Sequence, residues 1–297
     1  MKTKYILLAT MGLLATLACN RIDQTAAVIT VDARISPDTK VSSSNNAAAF
    51  ETGDALSLYA WTGDKNVIPA TLVVNGVKNT LGEDGKWTPE TMMRWADRVS
   101  DHYFMAVSPA RKVTNFKADA YSLDPADYAA SDLLVATRLE GLKSKDNPVS
   151  LNFDHMLAKL QVNLNFRNQW SATPKVSSVL ATAAGTATVD YLAKSLTAAT
   201  EKVDVSIPAL SNAAEGYALS FSGLMIPQSG FKTLTLKVED NVYVFTNTTD
   251  IPLVAGKVTV LNLVIGRDKI DLGSDVTIND WTSQGDPVEG EVFKPAA

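Results

Sequence analysis

Apolar and polar residues alternate along much of the chain. In AAVITVDARI, residues 26–35, the side chains of Ile29, Val31, Ala33 and Ile35 share one face, and Thr30, Asp32 and Arg34 share the other. That period of two is the pattern of a half-buried strand. The same reading applies to ALSLYAW, with Leu56, Leu58 and Ala60 opposite Ser57, Tyr59 and Trp61, behind a Thr52-Gly53-Asp54 turn. HYFMAVSPA is a strand ended by Pro109. The clearest alternation is LAKLQVNLNF, which places Leu160, Val162, Leu164 and Phe166 inward and Gln161, Asn163 and Asn165 outward. GEDGKW and the Glu239-Asp240-Asn241 stretch have the turn chemistry of hairpins. Between strands, SPDTKVSSSNNAAAF (Ser36 to Phe50) is polar and reads as an exposed loop.

Short strands at spacings of about 8–12 residues, with few helical stretches, predict an all-β fold of sandwiches rather than βαβ units. DPADYAASDLLV is open between a short helix and a loop running into a strand. The alanine-rich stretch 181–199 has room for a short helix, against which Gly185 and its threonines speak. The polar RNQWSATPK, Arg167 to Lys175, is the expected domain boundary. The expected organisation is therefore a leader over 1–18 and a first strand with an exposed loop over 19–49. One β-sandwich over 50–168, completed by strand 27–35, and a second over 169–297 follow, each too small to need further division.

The leader follows from the N-terminus. Lys2 and Lys4 precede an uncharged apolar run from Tyr5 to Ala18. Fourteen residues at helical rise span about 21 Å, too short for a bilayer core of about 30 Å, so the segment reads as a secretory signal. Cys19, the single cysteine in 297 residues, follows the small Ala18. This arrangement resembles the lipobox of bacterial lipoproteins, in which the thiol is acylated. An ordinary secretory signal with an incidental cysteine is the other reading. With one cysteine no internal disulfide forms, so stability rests on the core, and 46% hydrophobic residues supply one.

Composition excludes more than it selects. The formal charge is −5, or −7 once Lys2 and Lys4 leave with the leader. It is spread out, with no basic footprint for nucleic acid. The two histidines, His102 and His155, sit in no HExxH and have no second histidine at ligand spacing, so each is expected to be structural. No GxSxG elbow, P-loop or GxGxxG occurs. DLGSDVTIND departs from the EF-hand order and reads as a turn between strands. We therefore expect no catalytic residues, no metal and no cofactor. The five tryptophans, Trp61, Trp87, Trp95, Trp170 and Trp281, are core or rim residues, or alternatively a sugar-stacking platform.

Taken in order, the pieces resemble a known family. They are the lipobox cysteine, a first strand, a polar loop with a basic residue, and Phe50-Glu-Thr-Gly-Asp54 leading into LSLYAW. Then come Lys86-Trp87, Arg94-Trp95, YFMAVSP, DLLVAT, Phe153 to Leu160 (FDHMLAKL) and INDW. This order is similar to the fimbrillin family, the Mfa-like and FimA-like subunits of Bacteroides-type (type V) pili. The resemblance implies two tandem Greek-key (transthyretin-like) β-sandwich domains and export as a lipoprotein through Cys19 to the outer membrane. It also implies cleavage by a surface protease of Arg or Lys specificity, after Lys40 or, within the strand pattern, Arg34. The strand of Ile29, Val31, Ala33 and Ile35 is then expelled. A neighbouring subunit fills the groove with its C-terminal segment, here 287–293 with Val288 and Val292 on one face. The partners implied are other fimbrial subunits, in a homo- or heteropolymer, and a host or bacterial surface ligand. A monomeric surface lipoprotein that binds glycan is the alternative.

Overall fold

The computed structural model describes residues 26–36, 49–274 and 276–281. Strands are numbered along the chain. The largest sheet has seven, in the order β1 (Val31–Ile35), β8 (Val149–His155), β7 (Leu134–Leu142), β5 (His102–Ser108), β2 (Ala55–Thr62), β3 (Val74–Leu81) and β4 (Trp87–Pro89). A second sheet runs β14 (Leu219–Met225), β9 (Ala158–Phe166), β17 (Lys257–Ile265) and β18 (Ile270–Leu272), with β19 (Thr277–Asp280) also paired to β17. A third runs β13 (Val203–Ser206), β10 (Val176–Ala183), β15 (Thr233–Val238) and β16 (Asn241–Thr246). A small one joins β12 (Ser195–Ala198), β11 (Thr186–Asp190) and β6 (Asp119–Ser122). One helical turn, α1 (Tyr128–Ser131), capped by the Asp127 side chain, leads into β7. The fold is all-β, as the alternation predicts.

The seven-stranded sheet is buried on both faces. From β2, Leu56, Leu58 and Ala60 join one core with Phe104, Ala106, Leu151 and Phe153. Tyr59 and Trp61 join another with Met105, Val107 and Val135. The side opposite Leu56 is therefore a second interior. Phe116 packs edge-on against Tyr59, with ring centroids 5.1 Å apart. The Tyr59 hydroxyl donates to Arg111 O (3.3 Å) and accepts from Val113 N–H (2.8 Å), so a buried phenol is satisfied by the backbone that covers it.

The chain changes sheet at the expected boundary after residue 168, from β9 to β10, but strands from the two sides of it share sheets. β9, which precedes it, lies between β14 and β17, and β6 pairs with β11. The cause is that β9 finds partners on both edges far along the chain, parallel to β17 and antiparallel to β14. Its expected outward residue Asn163 is buried there: its amide donates to Asn262 Oδ1 (2.9 Å) and its oxygen accepts from Ser220 Oγ (2.7 Å). The alanine-rich stretch is strand. Val179, Ala181 and Ala183 point into the core from β10, where small side chains let the sheets approach. Both hairpins form where turn residues place them, the second with Glu239 in the left-handed region at φ 51°.

Candidate functional site

β1 runs parallel to β8, with Val31 opposite Val149 and Ile35 opposite Phe153. Its lead-in, Ala27 to Ile29, pairs antiparallel with a different segment, Met93 to Trp95, which follows β4 at the far edge of the same sheet. Ile29 N–H donates to Met93 O (2.9 Å) and Trp95 N–H to Ala27 O (3.1 Å). The Arg94 guanidinium donates to Ala26 O (2.8 Å). On the β8 side, Val149 N–H donates to Thr30 O (2.8 Å), Thr30 N–H to Asn147 Oδ1 (2.9 Å) and Ser36 N–H to Phe153 O (2.7 Å). Residues 26–36 therefore form a seam. They join the first edge of the sheet to the segment beyond its last strand, and so enclose one core on the concave face.

Side chains reinforce the seam on one face only. Ile29 is 1% exposed and Val31 8%. Ala33 and Ile35 are half-buried against the same core. Its wall is aromatic: Phe50 meets Trp87 and Phe153 edge-on at 5.1 and 5.3 Å, and Trp95 meets Phe104 at 5.4 Å. Arg34 lies on the outer face, 73% exposed at its side chain and paired to Asp32 (3.0 Å). Its backbone nonetheless belongs to the ladder, opposite Asn152. Cys19, Lys40, Val288 and Val292 lie outside the described residues.

Both histidines have structural roles. His102 is fully buried; its Nε2 accepts from Ala96 N–H (3.0 Å) and its Nδ1 faces Ser100 O (3.0 Å). That pair of contacts specifies the neutral ring protonated at Nδ1 and fixes the loop that carries Trp95. His155 Nδ1 meets Asp132 Oδ1 (3.0 Å), and the ring stacks on Trp281 at 3.9 Å. Lys159 lies 5.9 Å from the Trp281 ring. Burial pushes the Lys159 ammonium below its ordinary value, against the opposing pull of Asp132. Asp271, from the stretch that superficially resembles a calcium loop, is paired with Arg167 and Lys269. Trp61, Trp87, Trp95 and Trp281 are core residues and Trp170 is half-buried, so the tryptophans make no open stacking platform.

The sequence reading missed the second wall of the seam. Arg94-Trp95 was legible only as a motif, and Asn147 not at all. Nothing local in residues 93–95 announces pairing with a strand more than sixty residues earlier.

Curled and stacked sheets closed along one edge by residues 26–36 make an all-β fold. The family model described as fimbrillin-like matches residues 39–281. The chain belongs to the fimbrillin-like family, a family of fimbrial structural proteins. No curated protein matches the chain. Among solved structures, a proposed cell adhesion protein from Bacteroides ovatus superposes with a TM-score of 0.65 at 16% identity, covering 88% of this chain and 99% of its own. One from Bacteroides uniformis gives 0.62 at 18% identity, with 86% and 98% covered. A fimbrial protein from Bacteroides vulgatus gives 0.54 at 15% identity, with 86% and 99% covered. These likenesses are of fold.

Proposed function

We propose that this chain is a subunit of a cell-surface pilus, exported as a lipoprotein through Cys19 and assembled by strand exchange at the seam. The observation that carries the reading is the bonding of residues 26–36. They are held by main-chain hydrogen bonds along both sides and by Ile29 and Val31 beneath. Main-chain bonds are indifferent to sequence, so another strand with suitable alternate side chains can replace this one. Its departure leaves unpaired ladder groups beside apolar surface, which favours recapture of a strand over solvation.

A surface protease of Arg or Lys specificity cuts after Lys40, which severs the first strand and the lipid together. Arg34 is the inferior site, because the bond after it lies in the β1 ladder and a folded strand resists entry into a protease cleft. The segment 287–293, with Val288 and Val292 on one face, is donated to a neighbouring subunit. In this reading the protein resides at the outer membrane until cut and in the fimbrium afterwards. Two Greek-key sandwich domains organise it, the first around the seven-stranded sheet, and a host or bacterial surface ligand is its target.

The test is intact mass and N-terminal sequencing of the protein from detached fimbriae and from outer membrane. The expected fimbrial N-terminus is Val41. Acylated Cys19 in all of the material refutes expulsion of the strand and leaves an anchor or a monomeric lipoprotein.

A further inference from the structure

We infer that the seam, once vacated, takes a strand from a different polypeptide, one with two large aliphatic side chains two residues apart, and not residues 282–297 of a second copy. The inference rests on the strand-exchange reading and adds the identity of the partner.

The two most buried positions of the departing strand are adjacent on one face. Ile29 and Val31 are 1% and 8% exposed, whereas Ala33 and Ile35 are only half-buried. A replacement must fill the first two sites together. It must also offer an N–H at position 29 to Met93 O and at position 30 to Asn147 Oδ1.

Residues 282–297 read TSQGDPVEGEVFKPAA. Two places from Val288 stand Asp286 and Gly290; from Val292, Gly290 and Lys294; from Phe293, Glu291 and Pro295. The failure is thus independent of register and of strand direction. Val288 in the Val31 site of a parallel strand puts Asp286 in the Ile29 site and Pro287, which lacks an N–H, opposite Asn147. Val288 in the Ile29 site leaves Gly290 at Val31, and the reversed strand with Val292 at Ile29 does the same. Every other placement puts a polar, charged, proline, glycine or alanine residue in at least one of the two sites. An emptied aliphatic site or a buried unpaired charge lowers strand affinity by about a hundredfold or more. The tail presents its large residues four apart around Gly290, a pattern for a groove with a shallow middle site.

The test uses the full chain, folded and then cut at Lys40, the only basic residue in 37–48. The first strand stays in place by its non-covalent contacts. Labelled peptides compete for the seam: residues 26–36, residues 282–297, and residues 282–297 carrying Gly290→Val. Displacement of the first strand is followed by native mass spectrometry. The expected order has 26–36 exchanging in and 282–297 weaker by about a hundredfold. Gly290→Val recovers most of that deficit, because Val288 and the introduced valine then occupy the Ile29 and Val31 sites. Equal exchange by unaltered 282–297, or no gain from Gly290→Val, overturns the inference while strand exchange stands. Failure of 26–36 itself to exchange overturns the strand-exchange reading.

Discussion

Ile29→Ala tests whether the seam closes the seven-stranded sheet or merely lies against it. Ile29 is 1% exposed and shares its core with Met93, Trp95 and Val149. Truncation to alanine removes three carbons, worth about 2.4 kcal/mol of transfer at roughly 0.8 kcal/mol each. The void left behind adds to that, so the expected loss is about 3 kcal/mol. Ile35→Ala removes the same atoms from a half-buried site at the other end of the strand and is expected to cost about 1 kcal/mol. The pair is measured by urea unfolding followed through tryptophan fluorescence, since Trp87 and Trp95 line the core concerned. A second readout is cleavage after Arg34 by an Arg-specific protease under native conditions, which requires the strand to leave its ladder. When reclosing is fast, the rate follows the open population, so 3 kcal/mol raises it roughly a hundredfold for Ile29→Ala and about fivefold for Ile35→Ala. Equal costs for the two variants, or a cost below about 1 kcal/mol at Ile29, would refute the reasoning, because the strand would then be held by its ladder alone and not by the enclosed core.

Two further perturbations probe the interior on the other face of that sheet. Tyr121 donates its hydroxyl to Ser131 O at 2.6 Å. Burial, only partly opposed by Arg111 5.7 Å from the ring and by that hydrogen bond, pushes its pKa up to about 12. A folded pKa above the free value of 10 means this stabilisation is complete below pH 10 and is lost as pH climbs toward 12. Alkaline unfolding should therefore take about 2–3 kcal/mol from this residue over that window, and Tyr121→Phe should flatten that part of the stability curve. Gly76 sits in β3 at φ 68°, and a Cβ built there falls 2.8 Å from the Tyr59 hydroxyl oxygen. Gly76→Ala is expected to cost about 2 kcal/mol from the left-handed backbone and from displacement of a phenol bonded to Arg111 and Val113; a thermal midpoint equal to that of the unaltered chain would contradict it.

How much was legible follows from how far each interaction reaches along the chain. Period-two alternation is a local property, so the strands around Ile29, Leu58 and Leu164 were readable from a few residues apiece, as were turns such as that at Glu239. The apolar face of the first strand was readable in the same way. What covers a face is not local. Tyr59 and Trp61 looked like the outer side of β2 because nothing nearby signals that Phe116, far along the chain, lies over them. Asn163 looked solvated because its partners, Ser220 and Asn262, are 57 and 99 residues away. The connection at 167–175 carries the chain from one sheet to another, yet strands before and after it share sheets, since the polar composition of a connection says nothing about which partners its flanking strands find. The seam combines both cases. Its inward residues are written into 26–35, but its second wall at 93–95 comes only from the curl of the whole sheet. The residue with the deepest site, Ile29, precedes the regular ladder of β1 and sits where the two walls meet. A reading by alternation treats Ile29, Val31, Ala33 and Ile35 as equivalent. Enclosure buries the first two most deeply, at the end of the segment where Arg94, Trp95 and Asn147 hold the backbone.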